Sequence, residues 1–159
     1  MSNIFSGSEI VEMGIQIEKN GKDFYEALNE KSNNKRAKEV FRYLAGEEEK
    51  HISTFKKILS SVEAYEPAES YPGEYFKYMN SLASEYVFTQ KDKGRKIAQD
   101  TKSDKEAFEL GIGFEKDSIV FYEGIKRAVP KDSHRLIDAL IEQEQDHLRQ
   151  LQDLKRSSS

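Results

Sequence analysis

The sequence predicts an all-α fold, a four-helix bundle with one long crossover connection, on three observations. Only three prolines interrupt 159 residues, which favours long helices over a loop-rich β fold. Apolar residues recur at steps of three and four in four separate stretches, the period of one buried helix face. The first two stretches are echoed by the last two. Gly14-Ile-Gln-Ile-Glu-Lys and Phe24-Tyr-Glu26 reappear as Gly111-Ile-Gly-Phe-Glu-Lys and Phe121-Tyr-Glu123, and Leu44 to His51 aligns with Leu140 to His147. One helix pair is therefore used twice, facing itself across a pseudo-twofold axis.

The first helix is expected over 8–30, opened by Ser6 or Ser8 as cap with Glu9 completing a capping box. Ile10, Gly14, Ile17, Gly21, Phe24 and Leu28 form its inner face. After the polar break Lys31-Ser-Asn-Asn34, the second helix, 34–64, carries Ala37, Phe41, Leu44, Phe55, Ile58 and Val62 on the same rhythm and ends before Pro67. Residues 65–103 form the crossover. Pro67, Pro72 and Gly73 mark a loop, Tyr75 to Phe88 reads as a shorter aromatic-rich helix, and the charged run from Gln90 to Asp104 reads as exposed. A connection this long lets helices two and three run parallel. Ser103-Asp-Lys-Glu106 is a second capping box and opens the third helix, 104–129, which Pro130 stops. Its inner face is Phe108, Gly111, Tyr122, Ile125 and Val129. The fourth, 131–156, follows at once with Ile137, Leu140, Leu151 and Leu154, and the terminal serines fray. All 159 residues are expected to form a single domain.

Composition narrows the function classes. Charged residues make up 34% and the formal net charge is −4 with both signs interspersed, so no basic stripe points to nucleic acid. No apolar run approaches membrane-spanning length. Cysteine is absent, which excludes disulfides, zinc ribbons, iron–sulfur clusters and a cysteine nucleophile. Met1 to Ser8 lacks the layout of a signal peptide, so a cytoplasmic protein is expected.

What interrupts the apolar seams carries the chemistry. The inward rhythm of helix two runs Phe41, Leu44, Glu48, His51, Phe55, and that of helix four runs Ile137, Leu140, Glu144, His147, Leu151. A Glu and a His three residues apart share one helix face. Glu18 sits between Gly14 and Gly21 on helix one, and Glu115 between Gly111 and Ser118 on helix three. Four carboxylates pointing into one core would repel one another and resist desolvation. Two divalent cations neutralise them, and the nitrogen and oxygen donors suit iron or manganese better than magnesium or calcium. One Glu from each of two helices plus Glu-x-x-His from each of the other two is the donor set of di-iron and di-manganese bundles.

A single Glu-x-x-His on a Glu-rich helix carries little. Here two of only three histidines sit in the motif at equivalent places of a repeat, and the partner glutamates repeat as well. Glu18, Glu48, His51, Glu115, Glu144 and His147 are the expected ligands. Tyr25 and Tyr122, two turns beyond Glu18 and Glu115, either fill the core or bond a metal carboxylate, able then to orient it or supply a proton or an electron. Glu47 and Gln143 are candidate acceptors for the outer nitrogens of the histidines. Gly14, Gly21 and Gly111 leave room for close packing or for the metals, while His134, Glu49 and Glu142 are expected at the surface.

These motifs, Glu18 with Phe24-Tyr25, Glu48-Glu-Lys-His51, Glu115 with Phe121-Tyr122, and Glu144-Gln-Asp-His147, resemble the rubrerythrin branch of the ferritin-like superfamily over nearly the whole chain. The six-ligand set is also similar to that of bacterioferritin, but the Phe-Tyr-Glu motifs fit the rubrerythrin side better. The resemblance implies a ferritin-like bundle with two iron ions per chain, manganese or mixed metals being the alternative. It implies reduction of hydrogen peroxide or dioxygen, in protection against oxidative stress, with some ligand carboxylates bridging and the two histidines terminal. It also implies a homodimer, into which the crossover could swap. Rubrerythrins usually carry a cysteine-ligated rubredoxin-type domain. This chain has no cysteine, so electrons are expected from a separate donor such as a rubredoxin-type protein or a small reductant. Ser118 stands where the family usually has an extra Glu that takes part in ligand exchange. Two other functions compete with this one: a ferritin-like ferroxidase that handles iron, and a bundle in which metal only holds helices together.

Overall fold

The computed structural model describes residues 7–65 and 73–158. Four long helices carry the architecture: α1 (Gly7–Lys31), α2 (Lys35–Tyr65), α5 (Asp104–Ile125) and α6 (Lys131–Ser157). The crossover holds α3 (Gly73–Glu85), a 3₁₀ turn (Val87–Thr89) and α4 (Gly94–Gln99). Ser6, Pro67, Pro72 and Ser159, on which the expected first capping box, loop and tail partly rest, lie outside the described residues.

The expected inner faces are the buried ones. Ile10, Ile17, Phe24, Phe41, Leu44, Phe55, Phe108, Tyr122, Ile137 and Leu151 are all without solvent exposure. The contacts fix direction. Gly14 meets Phe55 while Tyr25 stacks on Phe41, so α1 and α2 are antiparallel. Gly111 meets Leu151 while Glu115 faces His147, so α5 and α6 are antiparallel too. Tyr25 reaches Glu115 and Tyr122 reaches Glu18, which sets α1 against α5. It follows that α2 and α5 run parallel, as the long crossover requires.

Local chemistry sets the ends. Asn34 Oδ1 accepts from Ala37 N at 3.0 Å and caps α2. Ser103 Oγ accepts from Glu106 N at 3.1 Å, the first arm of the expected capping box; the return arm of Glu106 goes to Lys102 N, at 3.2 Å, rather than to Ser103. The third long helix stops sooner than the expected residue 129. Pro130 disfavours helical backbone at the residue before it. The chain tightens to a 3₁₀ turn at Lys126–Ala128, and Val129 is extended.

The main departure is the run from Gln90 to Asp104. It is not simply exposed: Gly94, Ala98 and Thr101 are buried, and α4 packs on α1. The cause is Asn20, a buried residue of α1. Its Nδ2 donates to the carbonyls of Phe88 and Gln90, both at 2.6 Å, and its Oδ1 accepts from Lys93 N and Gly94 N at 3.0 and 3.1 Å. One amide thus satisfies four backbone groups that a buried loop would otherwise leave unpaired. Gly94 lies so close to α1 that a Cβ there would collide with the Asn20 carbonyl. Asp92 turns the chain into this contact in the left-handed region, φ 56°, which Asp tolerates better than most residues. At the other end of the crossover Tyr75 Oη donates to Gly124 O at 2.6 Å and fixes α3 to the end of α5.

Asn20→Ala should cost about 3 kcal/mol in denaturant unfolding, because it strands several buried backbone groups at once. Gly46 faces open space on α2, and Gly46→Ala should stabilise by about 1 kcal/mol.

Candidate metal centre

The helix period brings all six predicted residues into the middle of the bundle, and each is at most 1% exposed. Their donor atoms form two overlapping groups, Glu18, Glu48, His51 and Glu144, and Glu48, Glu115, Glu144 and His147, each within 4.8 Å of one another. Glu48 and Glu144 belong to both. Glu144 Oε1 lies 2.8 Å from His51 Nδ1 and 3.6 Å from His147 Nδ1, and Glu48 Oε1 lies 4.0 and 3.4 Å from the same two atoms. Glu18 approaches only His51, at 3.4 Å, and Glu115 only His147, at 3.7 Å. The imidazoles stack with centroids 5.5 Å apart.

These approaches do not satisfy the atoms. Glu18 Oε2, Glu115 Oε2, both oxygens of Glu48 and of Glu144, and both histidine Nδ1 atoms are buried without a hydrogen-bond partner. A protein does not leave so many polar groups orphaned in one place without something to receive them. The donors are oxygen and imidazole nitrogen, they surround two adjacent positions, and two carboxylates are shared. That set fits a pair of transition-metal ions.

The electrostatics agree. Burial first, and then the neighbouring carboxylates, push Glu48 and Glu144 well above the ordinary carboxylate range. Burial acts on Glu18 in the same direction, but His51 beside it and hydrogen bonds outweigh that and hold it low. Burial by itself would lower His51; the Glu18 carboxylate overrides it and raises the imidazole to about 10.

The surroundings hold the donors in place. Tyr25 Oη donates to Glu115 Oε1 at 2.7 Å, and Tyr122 Oη donates to Glu18 Oε1. Each phenol thus bonds a carboxylate of the other half of the repeat, and burial, then that carboxylate, raise it well above its usual range. Gln143 Oε1 lies 2.6 Å from His51 Nε2, so this expected acceptor is in place. Glu47, its repeat counterpart, instead takes Tyr43 Oη at 3.0 Å and Lys50 Nζ at 2.9 Å. Gly21 leaves space beside the centre, since a Cβ there would collide with the Phe114 ring and sit 3.1 Å from Glu48 Oε2. His134 is only part-exposed and faces Val129 O at 3.3 Å. Ser118 is fully buried and donates to Phe114 O at 2.8 Å.

Tyr86 is a residue that the sequence reading missed. It comes from the crossover, and its Oη lies 2.8 Å from Ser118 Oγ. Nothing in its local pattern marks it out, because only the docking of the crossover brings it there. Asn20 had a faint signal: it follows Glu18 in the repeat as Asp117 follows Glu115.

In the metal-free chain Glu48, Glu144 and His51 hold protons that the unfolded chain gives up sooner. Between pH 6.5 and 10 the folded state therefore binds more protons than the unfolded one, and stability falls as pH rises. The melting temperature of metal-free protein should drop across this window, and divalent iron or manganese should flatten the drop. Metal uptake must expel these protons, so calorimetry in buffers of different ionisation heat should register proton release, with weaker binding at lower pH.

Comparison with known proteins agrees with this centre. No helix among the described residues is long and apolar enough to cross a membrane. No curated protein matches the sequence. Among solved structures, a Thermotoga maritima protein assigned as a ferritin-like diiron-carboxylate protein is similar at 26% identity, with a TM-score of 0.69 and the whole of both chains covered. The rubrerythrin family model matches residues 9–155. With its ferritin-like bundle and its buried Glu/His cluster, this chain belongs to the rubrerythrin family.

Proposed function

We propose that the chain is a di-iron carboxylate oxidoreductase that reduces hydrogen peroxide or dioxygen with electrons from an external donor. The observation that carries this reading is the pair of overlapping donor groups with shared Glu48 and Glu144 and unpartnered buried atoms. Two ferrous ions held there would supply the two electrons that cleavage of an O–O bond takes.

The chain's own residues have distinct tasks. Glu48 and Glu144 would be shared between the ions, Glu18 with His51 would complete one position, and Glu115 with His147 the other. Gln143 accepts from His51 Nε2, which leaves Nδ1 as the lone-pair donor. The Tyr25 and Tyr122 phenols orient Glu115 and Glu18 and stay protonated, so each holds a proton at a carboxylate of the centre. Phe24, Phe55 and Phe114 pack around these phenols and keep bulk water out. Reduction of peroxide to two waters also consumes two protons.

These 159 residues hold no cysteine, and we assign the electrons to a separate protein, such as one of the rubredoxin type, or to a small reductant. A cytoplasmic homodimer completes the proposal, on the family resemblance. Ser118 favours a second reading. Its hydroxyl is engaged by Phe114 O and Tyr86, and it adds no carboxylate to the centre, as would suit an iron-oxidising protein that handles ferrous iron.

Anaerobic loading with ferrous iron followed by one equivalent of peroxide tests the first reading. Rapid loss of ferrous iron and growth of ferric near-ultraviolet absorption are expected, with turnover when a reductant is added. Glu48→Ala and Glu144→Ala should abolish both. Continued oxidation of ferrous iron beyond two ions per chain, with no reductant added, would move the assignment to iron handling, and metal inert to both peroxide and dioxygen would contradict both readings.

A further inference from the structure

The two halves of the repeat surround the centre differently. On one side Gly21 and the ring of Phe114 meet beside Glu48, and the shell there is apolar. At the equivalent place on the other side stands Ser118, just under one helical turn beyond Glu115 on α5. Its proton goes to Phe114 O, so Tyr86 Oη, 2.8 Å away, donates to Ser118 Oγ and lies 3.1 Å from Phe114 O. Tyr86 is buried at its inner end, yet it also lines a surface cleft of about 190 Å³ between α3 and α5. Leu82, Val120 and Phe121 make the walls, and Glu85 and Asp117 bring two carboxylates. Neither carboxylate is paired with a cation among the described residues. From the cleft inward, Glu85 and Asp117 line the mouth with Tyr86, Tyr86 meets Ser118, and Ser118 shares its face of α5 with Glu115, three residues before it, whose Oε2 has no partner.

The opposite seam is built from the two histidines. Between α2 and α6 the imidazoles stack at an interplanar angle of 17°, and Gln143 covers the outer nitrogen of His51. A divalent cation pays heavily to leave water for apolar surroundings, so a passage that offers oxygen in place of water favours its approach.

We propose that the cleft between α3 and α5 is the route by which a divalent cation reaches the Glu/His cluster, with Glu85 and Asp117 at its mouth and the Tyr86–Ser118 hydroxyl pair at its neck. This rests on the metal-centre reading and extends it from where the ions sit to how they arrive. The mouth carboxylates raise the local cation concentration. The hydroxyls offer oxygen at the point where the passage narrows. None of these four side chains is a ligand of the final site, so they govern rate and leave equilibrium alone.

Cobalt(II) uptake by the metal-free chain, followed by stopped-flow visible absorption, tests the route. At low ionic strength Glu85→Gln/Asp117→Asn should slow the bimolecular phase about tenfold and flatten its salt dependence. Tyr86→Phe should slow uptake at every salt concentration. In both variants cobalt per chain and equilibrium affinity should stay at wild-type values, with unchanged helical circular dichroism. Glu39→Gln/Glu142→Gln removes the same charge from exposed positions elsewhere and should leave the rate unchanged. Wild-type rates in the cleft variants, equal slowing in the charge control, or a loss of affinity matching the loss of rate would each overturn the route. A wild-type chain that binds no cobalt would overturn the metal-centre reading, and the route with it.

Discussion

Burial of four carboxylates and two imidazoles at one level of the bundle is the constraint on which the rest of the structure depends. Left bare, the cluster is held only by retaining protons: burial and mutual repulsion raise Glu48 and Glu144, and His51 is raised by Glu18. The surrounding choices follow from this. Gly21 keeps a side chain out of the space beside Glu48. Two phenols each satisfy one carboxylate oxygen and leave its partner oxygen directed to the centre. Gln143 ties the outer edge of one imidazole to the facing helix. An apolar core could have been built at far lower electrostatic cost, so the cluster is there for what it binds.

The repeat gives the centre its near symmetry, and the crossover breaks it. Asn20 on α1 clasps the crossover with four hydrogen bonds, whereas its counterpart Asp117 on α5 lines an open cleft. Gly21 faces a phenylalanine ring, whereas its counterpart Ser118 faces the Tyr86 phenol. Gln143 meets an imidazole, whereas its counterpart Glu47 meets Tyr43 and Lys50. One half of the bundle is thus sealed by the chain's own connection, and the other keeps a polar approach. The two overlapping Glu/His groups then have unlike surroundings.

The legible part of this molecule was what helical periodicity carries. A step of three or four residues fixes which side chains share a face, so the inner faces of the four long helices and the six clustered residues could be read from spacing. The Glu48–His51 and Glu144–His147 pairs were legible because each is local to one helix. The repeat then made Glu18 and Glu115 stand out. The crossover was not legible beyond its first half. Its charged composition reads as solvent-facing, but a single buried amide, Asn20, offers its backbone the hydrogen bonds it would have sought from water. Tyr86 lay hidden for the same reason, because its place beside Ser118 depends on how residues 68 positions apart dock through Asn20 and Phe88. The early end of α5 shows the effect of Pro130 on the residue before it, a backbone effect that side-chain periodicity overlooks.

The most direct test of the account is a crystal of the chain grown with ferrous iron under anaerobic conditions, with anomalous scattering measured on both sides of the iron absorption edge. The account predicts two iron peaks, one among Glu18, Glu48, His51 and Glu144 and the other among Glu48, Glu115, Glu144 and His147, with both peaks lost in Glu48→Ala/Glu144→Ala. A centre without anomalous density, its carboxylates paired to one another through protons, would contradict it.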